Sequence, residues 1–269
     1  MTTLAELHRR VAEDDPVTMV TAYDSTMAGL VDDSDVDAIL VGDSVGLTTL
    51  GYDGTDRVTV DEMVHHAGAV TRAVTDTVVV VDLPFGSYNT DPVAAVENAN
   101  RLKKEGGADA VKLEGGREVT GAVEAITNGG IPVFGHLGVT PQTEAIEGLR
   151  GATAEDAEAL LADARAVDDA GATGMVLELV ASETARTITD AVEGLTVGIL
   201  AGPGCDAQVV TLHDLLGLAD VLPESVSGVR GNLAEEIVDH LDGFHEAVVS
   251  GEFPGETATK RMDDDRPDR

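Results

Sequence analysis

Residues 77–105 read TVVVVDLPFGSYNTDPVAAVENANRLKKE, and this stretch contains the repeating unit of the whole chain. A short run of β-branched residues, Thr77–Val81, is followed by a loop and then by a segment with helical spacing, Pro92–Glu105. Short β-branched runs favour buried strands, whereas apolar residues three or four apart favour a helix. Asp91 before Pro92 is typical of a helix start. The stretch therefore predicts one strand followed by one helix.

The same unit recurs along the chain. The predicted strands are Val17–Ala22, Ala38–Val41, Thr77–Val81, Ala110–Leu113, Ile131–Phe134, Gly174–Leu177, Thr196–Leu200 and, with the weakest pattern, Asp220–Leu222. The predicted helices between them are Val60–Val74, Pro92–Glu105, Arg117–Asn128, Ala154–Ala170, Glu183–Val192 and Asp206–Gly217. An extra amphipathic helix, Leu4–Val11, precedes the first strand, and a long helix, Leu233–Val249, follows the last one.

Eight strand-then-helix units predict an α/β protein with the (β/α)8 TIM-barrel fold and an extra N-terminal helix. A doubly wound open sheet is the alternative, but the even spacing and the weak phosphate-binding signal favour the barrel. We assign residues 1–255 to a single catalytic barrel domain. Residues 256–269 form a charged segment that is expected to be disordered.

The composition and the net charge argue against several classes of function. The chain has 269 residues, 43% of them hydrophobic, and its formal net charge is −33, which argues against a nucleic-acid binder that relies on a basic surface. No apolar stretch is long enough to span a bilayer, so a membrane partner is not expected and a cytoplasmic location is predicted. The single cysteine, Cys205, cannot form an intrachain disulfide and is interpreted as structural.

The acidic residues are scattered along the chain and do not form one block. A distributed excess of negative charge repels itself at low ionic strength, and molar salt screens that repulsion. The hypothesis is that the protein is halophilic and comes from a salt-loaded cytoplasm.

Charged side chains follow the ends of five predicted strands. They are Asp43, Asp82, Lys112 with Glu114, His136 and Glu178. In a barrel the carboxyl ends of the strands converge on one face, where the catalytic groups of this fold lie. In so acidic a chain any one of these carboxylates alone is more often a solvated loop residue or a helix cap, so the argument depends on the whole set.

The three carboxylates Asp43, Asp82 and Glu114 form a hard oxygen site suited to Mg²⁺. A magnesium ion with open positions can bind the keto and carboxylate oxygens of a 2-oxo acid and acidify the neighbouring C–H bond. Glu178, on another strand, is then the candidate general base. Lys112 is expected to neutralise or orient a carboxylate or an enolate.

The same residues lie in segments that resemble the ketopantoate hydroxymethyltransferase (3-methyl-2-oxobutanoate hydroxymethyltransferase) family. The segments are 41–46 (VGDSVG), 82–88 (DLPFGSY), 111–116 (VKLEGG), 135–142 (GHLGVTPQ) and 176–178 (VLE). The resemblance runs in order from residues 18–24 (TMVTAYD) to residues 251–254 (GEFP) and so covers nearly the whole chain.

The resemblance implies a role for each matching residue. Asp43 and Asp82 would ligate Mg²⁺, with Glu114 completing the metal site. The residues implied to hold the 2-oxo acid are Asp43, Ser44, Asp82, Lys112 and His136. Glu178 would remove the proton from C3 of 3-methyl-2-oxobutanoate, and the Mg-stabilised enolate would attack the one-carbon unit of 5,10-methylenetetrahydrofolate or a related pterin, giving 2-dehydropantoate for pantothenate and coenzyme A synthesis. The family also implies a homo-oligomer, commonly a ring-based decamer.

Two departures from the family pattern concern the pterin side of the site. Leu200 stands where the family reads glycine, and residues 143–151 (TEAIEGLRG) are shorter than the corresponding family segment. Two other functions are compared with the transferase. One is a Mg²⁺-dependent lyase or mutase acting on another 2-oxo acid, although the chain has no cysteine-bearing loop of the kind common in those enzymes. The other is a non-catalytic barrel that binds a small acid.

Overall fold

A computed structural model describes residues 2–143, 148–219 and 231–259. Its centre is a closed barrel of parallel strands in the order of the chain. The strands are β1 (Val17–Thr21), β2 (Ala38–Val41), β3 (Val78–Asp82), β4 (Ala110–Lys112), β5 (Val133–Gly138), β6 (Gly174–Glu178), β7 (Leu195–Ile199) and β8 (Ala207–Thr211). Strand β1 closes the barrel because it pairs with β2 on one side and with β8 on the other. The predicted (β/α)8 barrel is confirmed.

The helices lie outside the strands. They are α1 (Leu4–Ala12), α2 (Ser25–Asp32), α3 (Val60–Thr71), α4 (Pro92–Lys104), α5 (Thr120–Asn128), α6 (Ala154–Asp169), α7 (Ser182–Thr189), α8 (Leu212–Leu215) and α9 (Leu233–Ser250). Side chains fix several helix starts: Asp24 caps α2, and Thr59 and Glu62 form a capping box at the start of α3. The extra N-terminal helix is confirmed as α1.

Strands β2 to β6 are buried on both of their faces. In β2, Ala38 and Leu40 pack into the barrel interior, whereas Ile39 and Val41 pack in the layer between the barrel and the helices. Successive side chains of a strand point to opposite faces, so a strand covered on both sides has to be apolar throughout. This double burial explains why continuous β-branched runs identified the strands from the sequence.

The sequence-based prediction for the region of the eighth strand was wrong. A helix was predicted over Asp206–Gly217, but its first part forms β8 and only Leu212–Leu215 is helical. The alternating burial of Ala207, Gln208 and Val209 shows the physical reason, because a period of two with β-branched residues suits a strand. The strand predicted at 220–222 lies outside the described residues.

The C-terminal segment is described only in part. Glu256–Ala258 forms a single 3₁₀ turn, so this beginning of the predicted disordered segment has local structure. Residues 260–269 lie outside the described residues. In the described part of the chain, no helix is both long and apolar enough to cross a membrane.

Candidate active site

The carboxyl ends of the strands surround a pocket. This pocket is lined by all six charged residues predicted from the sequence: Asp43, Asp82, Lys112, Glu114, His136 and Glu178. Ser44 lines it as well. Each of these six charged residues is less than 9% exposed. The barrel closure therefore brings together side chains that are up to 135 positions apart in the chain (178 minus 43).

Asp43 and Asp82 are neighbours at the ends of β2 and β3. The backbone N–H of Asp43 donates to Asp82 Oδ2 at 3.0 Å. Burial raises the pKa of Asp43 well above its usual range, and repulsion from Asp82 adds to this effect. Burial also raises the pKa of Asp82, although Lys112 partly opposes the shift. The two carboxylates are thus held together in a place where their negative charge is poorly stabilised.

Lys112 lies between these aspartates and the rest of the site. Its Nζ is 2.9 Å from Asp82 Oδ1 and 3.3 Å from His136 Nδ1. Burial opposes the charge of Lys112, but the nearby carboxylates Asp82, Glu114 and Asp43 outweigh it and raise its pKa. The pocket therefore contains a permanently charged ammonium group.

His136 is placed between two glutamates. Its Nδ1 is 3.2 Å from Glu114 Oε1 and its Nε2 is 3.3 Å from Glu178 Oε2, although Nε2 makes no hydrogen bond within the described residues. Burial and repulsion from Lys112 lower the pKa of His136, but the two glutamates raise it to about 9 overall. The raised pKa favours the positively charged form of the imidazole, whose Nε2 faces Glu178 across a short gap.

Glu178 is the last residue of β6, and a glycine of the neighbouring strand secures its position. Gly138 has φ +102, and a Cβ atom at that position would lie 2.1 Å from the carbonyl oxygen of Glu178. The backbone N–H of Val139 donates to that same oxygen at 2.9 Å. Only glycine allows this close approach, so the end of β5 fixes the backbone that carries Glu178.

Ser44 reaches the pocket from the loop after β2. Its hydroxyl lies 2.8 Å from Tyr23 Oη, and the backbone carbonyl of Tyr23 lies 2.8 Å from His66 Nδ1. Burial raises the pKa of Tyr23 to about 12, which keeps the phenol neutral as a hydrogen-bonding partner of Ser44.

Two further site residues were not recognised from the sequence. Gln142 Nε2 donates to Asp43 Oδ2 at 2.6 Å, and Tyr88 Oη donates to Gln142 Oε1 at 2.6 Å. Both residues lie in segments that resemble the family, 82–88 and 135–142, but the sequence predicted no role for them. Their position just after a strand end was the available signal, whereas their contact across the barrel rim depends on the fold.

The donor set of the pocket suits a hard divalent cation. Asp43 and Asp82 offer adjacent carboxylates that line the pocket, and Asp82 Oδ1 also forms an ion pair with Lys112 at 2.9 Å. Glu114 is directed elsewhere, since its oxygens contact His136 and the backbone N–H of Gln142. Accordingly, within residues 2–143, 148–219 and 231–259, no three acidic, His or Cys side chains converge as one metal-binding group. Mg²⁺ commonly uses one or two protein carboxylates and completes its shell with water or substrate, so the pair of aspartates fits it.

The net charge of the pocket also favours the binding of a divalent cation. Four carboxylates face the two cationic groups Lys112 and His136, which leaves an excess of two negative charges when every group is ionised. A divalent cation would neutralise this excess and reduce the repulsion between the aspartates.

Comparison with known proteins identifies the family. A sequence model described as ketopantoate hydroxymethyltransferase matches residues 1–256. The chain belongs to the ketopantoate hydroxymethyltransferase family.

Curated relatives in this family carry the name 3-methyl-2-oxobutanoate hydroxymethyltransferase. The protein of Moorella thermoacetica is 49% identical, over 94% of this chain and 95% of its own length. The protein of Ignicoccus hospitalis is 47% identical, over 94% of this chain and 97% of its own length. That of Natronomonas pharaonis is 44% identical, over 95% of this chain and 96% of its own length. The predicted family is thus confirmed over nearly the full length of the chain.

Solved structures with a similar fold are more distant in sequence. Phosphoenolpyruvate phosphomutase from Streptomyces platensis subsp. rosaceus has a TM-score of 0.64 at 16% identity, covering 93% of this chain and 88% of that one. For 2,3-dimethylmalate lyase, described as a PEP mutase/isocitrate lyase superfamily member, the TM-score is 0.60 at 16% identity, with 98% and 92% covered. A phosphonopyruvate hydrolase in complex with oxalate and Mg²⁺ has a TM-score of 0.62 at 11% identity, with 97% and 93% covered. These similarities show that the chain has the same barrel fold as these proteins.

Proposed function

We propose that the protein transfers a hydroxymethyl group from 5,10-methylenetetrahydrofolate, or an analogous pterin carrier, to 3-methyl-2-oxobutanoate. The product would be 2-dehydropantoate, a precursor for pantothenate and coenzyme A. Family membership supports this reaction. The structural observation that carries the proposal is that Glu178 lines the same pocket as Lys112 and the aspartates Asp43 and Asp82. The proposed general base and the groups that would bind the metal ion and the 2-oxo acid can therefore act on one small substrate.

Asp43 and Asp82 are the residues that would hold Mg²⁺, and Glu114 would act on the ion through water. When bound there, the ion supplies an electrophile that withdraws electron density from the 2-oxo acid and makes its C3 proton more acidic. Lys112, 2.9 Å from Asp82, adds a fixed positive charge for the substrate carboxylate or the developing enolate. Ser44 and His136 would complete the contacts with the 2-oxo acid.

Glu178 is proposed as the general base. Its carboxylate removes the proton from C3, and the electron pair of the broken C–H bond moves to the keto oxygen as an enolate forms. The imidazole of His136 lies beside this carboxylate, with its Nε2 3.3 Å from Glu178 Oε2. A base near its target in a site that excludes most solvent is well placed for such a proton abstraction.

The carbon–carbon bond then forms between C3 of the enolate and the methylene carbon of the pterin. Both bonds between that carbon and the two carrier nitrogens break: the new carbon–carbon bond replaces one, and the bond to the water oxygen that becomes the hydroxyl group replaces the other. The proton from C3 and one proton of the water end on the two nitrogens. The reaction therefore consumes one water and releases the reduced pterin without a net redox change.

The Mg²⁺-dependent lyase or mutase is less well supported by the site. The single cysteine, Cys205, directly precedes β8 and so lies at the amino end of that strand, whereas the pocket opens at the carboxyl ends. A cysteine-dependent cleavage of the substrate would need a thiol on the opposite side of the barrel.

The enolising half-reaction can be tested without choosing the one-carbon donor. Loss of the C3 proton of 3-methyl-2-oxobutanoate is followed by NMR in D₂O with the protein, Mg²⁺ and molar KCl. We expect exchange that requires the ion and disappears in Glu178→Gln. The matched control is Glu183→Gln, which removes an exposed carboxylate of α7 and should leave exchange intact.

A negative result would be followed by the same experiment with a tetrahydrofolate present, because donor binding completes many such sites. Absence of exchange in both experiments, from folded protein, would overturn the transferase proposal. Cleavage of the substrate into smaller acids would point instead to the lyase.

We also propose that the protein works as a cytoplasmic homo-oligomer, with residues 1–255 as the catalytic domain; the family resemblance implies a decamer. Helix α9 supports self-association, because in the described structure none of its residues is buried. Its apolar residues Ile237, Val238, Leu241 and Phe244 are between 46% and 61% exposed. Exposed apolar faces of this size commonly mark contacts between protein chains.

A further inference from the structure

A buried chain of hydrogen bonds runs from Tyr88 through Gln142 to Asp43. Tyr88 Oη accepts from the backbone N–H of Glu114 at 3.1 Å and contacts Gln142 Oε1 at 2.6 Å. Gln142 Nε2 donates to Asp43 Oδ2 at 2.6 Å and to the carbonyl oxygen of Leu83 at 3.0 Å. Tyr88, Gln142, Asp43 and Glu114 are each at most 5% exposed, so water competes little for these bonds.

The direction of each hydrogen bond in this chain is determined. Because Tyr88 Oη already accepts from a backbone N–H, its single proton is available to Gln142 Oε1. The amide nitrogen of Gln142 then points towards Asp43 Oδ2 and the carbonyl oxygen of Leu83, and both of its N–H groups are used. Rotating the amide by 180° would turn Oε1 towards the Leu83 carbonyl oxygen, so that two acceptors faced each other, and would turn the amide nitrogen towards the hydroxyl proton of Tyr88.

The chain connects separate loops of the barrel rim. Tyr88 lies in the loop after β3, Gln142 in the loop after β5, and Asp43 follows β2. Gln142 also anchors Glu114 after β4, because its backbone N–H donates to Glu114 Oε2 at 3.0 Å. One glutamine thus contacts two of the carboxylates of the pocket.

We propose that Gln142 is a positioning residue for the Mg²⁺ and oxo-acid site, and that Tyr88 acts through it. The amide of Gln142 holds Asp43 Oδ2, and the other oxygen of that carboxylate, which makes no hydrogen bond within the described residues, remains available to a ligand. Tyr88 fixes the amide in the orientation that presents nitrogen to Asp43. This inference rests on the proposed function, in which Asp43 binds the cation.

The test measures Mg²⁺ binding directly, by titration calorimetry in molar KCl, and uses Gln142→Met and Tyr88→Phe. Each variant keeps the volume of the side chain but removes its hydrogen bonds. We expect the Kd for Mg²⁺ to rise about 10- to 100-fold in Gln142→Met, the usual range for a residue that orients a metal ligand, and less in Tyr88→Phe. The control Thr143→Ala changes the exposed neighbour of Gln142 and should leave the Kd within about twofold.

The double variant tests whether Tyr88 acts through Gln142, which we call a relay, or contributes to the site independently of it. If Tyr88 acts through Gln142, the Kd of Tyr88→Phe/Gln142→Met will match that of Gln142→Met alone to within about twofold. Losses that multiply would overturn the relay from Tyr88. A lower thermal midpoint with an unchanged Kd would overturn the positioning role and indicate a contribution to stability only.

The result can be separated from failure of the proposed function. No Mg²⁺ binding by the wild-type protein would contradict the metal proposal and this inference together. Normal binding by the wild type and by Gln142→Met would overturn the inference alone. If Gln142→Met does not fold, Tyr88→Phe decides, because a wild-type Kd in that variant contradicts the relay.

Discussion

Asp82 and Lys112 are register partners on the neighbouring strands β3 and β4, and Lys112 Nζ lies 2.9 Å from Asp82 Oδ1. Both residues are less than 5% exposed. The pairing is therefore set by the hydrogen-bond ladder of the barrel and not by flexible loops. It places one fixed cation beside the carboxylates on which the proposed chemistry depends.

Replacing Lys112 with methionine leaves Asp82 and Asp43 buried without their nearest cation. We expect the free energy of unfolding to fall by about 3–5 kcal/mol in the absence of divalent ions, as is usual when one partner of a buried pair is removed. Urea denaturation at constant KCl measures this change. Lys104→Met removes an exposed lysine of α4 and serves as the control. Equal stability of the two variants would contradict the importance of the buried pair.

Asp32 gives a pH-dependent contribution to stability. Burial opposes its ionisation, but hydrogen bonds from Thr77, Asp76 and Thr75 outweigh burial and hold its pKa at about 2. A lowered folded-state pKa stabilises the protein fully above the unfolded value of about 3.8, and this contribution is lost as the pH falls towards 2. In Asp32→Asn the thermal midpoint should therefore fall less steeply between about pH 5 and pH 2.5 than in the wild type. Asp35→Asn is the exposed control, and identical slopes for wild type and Asp32→Asn would refute the effect.

Leu200 adopts a left-handed backbone conformation with φ +57, at the position where the family pattern has glycine. A side chain in that conformation is disfavoured by about 1–2 kcal/mol. We therefore expect Leu200→Gly to be more stable than Leu200→Ala by about 1 kcal/mol in chemical denaturation. At the exposed helical residue Ala159 the order should be reversed, with Ala159→Gly less stable than the wild type by about 1 kcal/mol. The same order at both positions would show that the strain at residue 200 is negligible.

Helix α9 provides a test of self-association. Leu241 is 61% exposed on this helix, and an aspartate there would place a charge in any contact between two copies. Leu241→Asp should reduce the molar mass measured by light scattering, whereas Leu30→Asp, at an equally exposed leucine of α2, should not. A wild-type protein that is already monomeric, or an assembly unchanged by Leu241→Asp, would be evidence against the proposed role of α9.

The net charge of −33 predicts a strong dependence on salt. Raising KCl from about 0.2 M to about 3 M shortens the Debye length to a few ångströms and should raise the thermal midpoint markedly. Sucrose at matched osmolality separates charge screening from the general effect of a cosolute. A midpoint that does not rise with KCl would remove the basis of the halophile hypothesis.

Most of the fold was predictable from local patterns. Seven strands were found within a few residues of their observed positions because a strand buried on both faces needs an uninterrupted apolar run, as in Val78–Val81. The last strand was missed because Ala207–Thr211 has a half-polar pattern and is followed at once by the helical turn Leu212–Leu215, so that the two together resembled one helix. Short segments of this kind obtain their conformation from their neighbours, here from pairing with β1 and β7.

The candidate site, like the fold, was predictable from the sequence only in part. The amino-acid sequence alone identified the charged groups, because their position after apolar runs indicates the carboxyl ends of barrel strands. Only the closed barrel decided which of them touch: His136 between Glu114 and Glu178, Lys112 beside Asp82, and Gln142 on Asp43. The strand pattern depends on local sequence, whereas these contacts join residues 22 to 99 positions apart and depend on which strand ends lie near one another in the closed barrel.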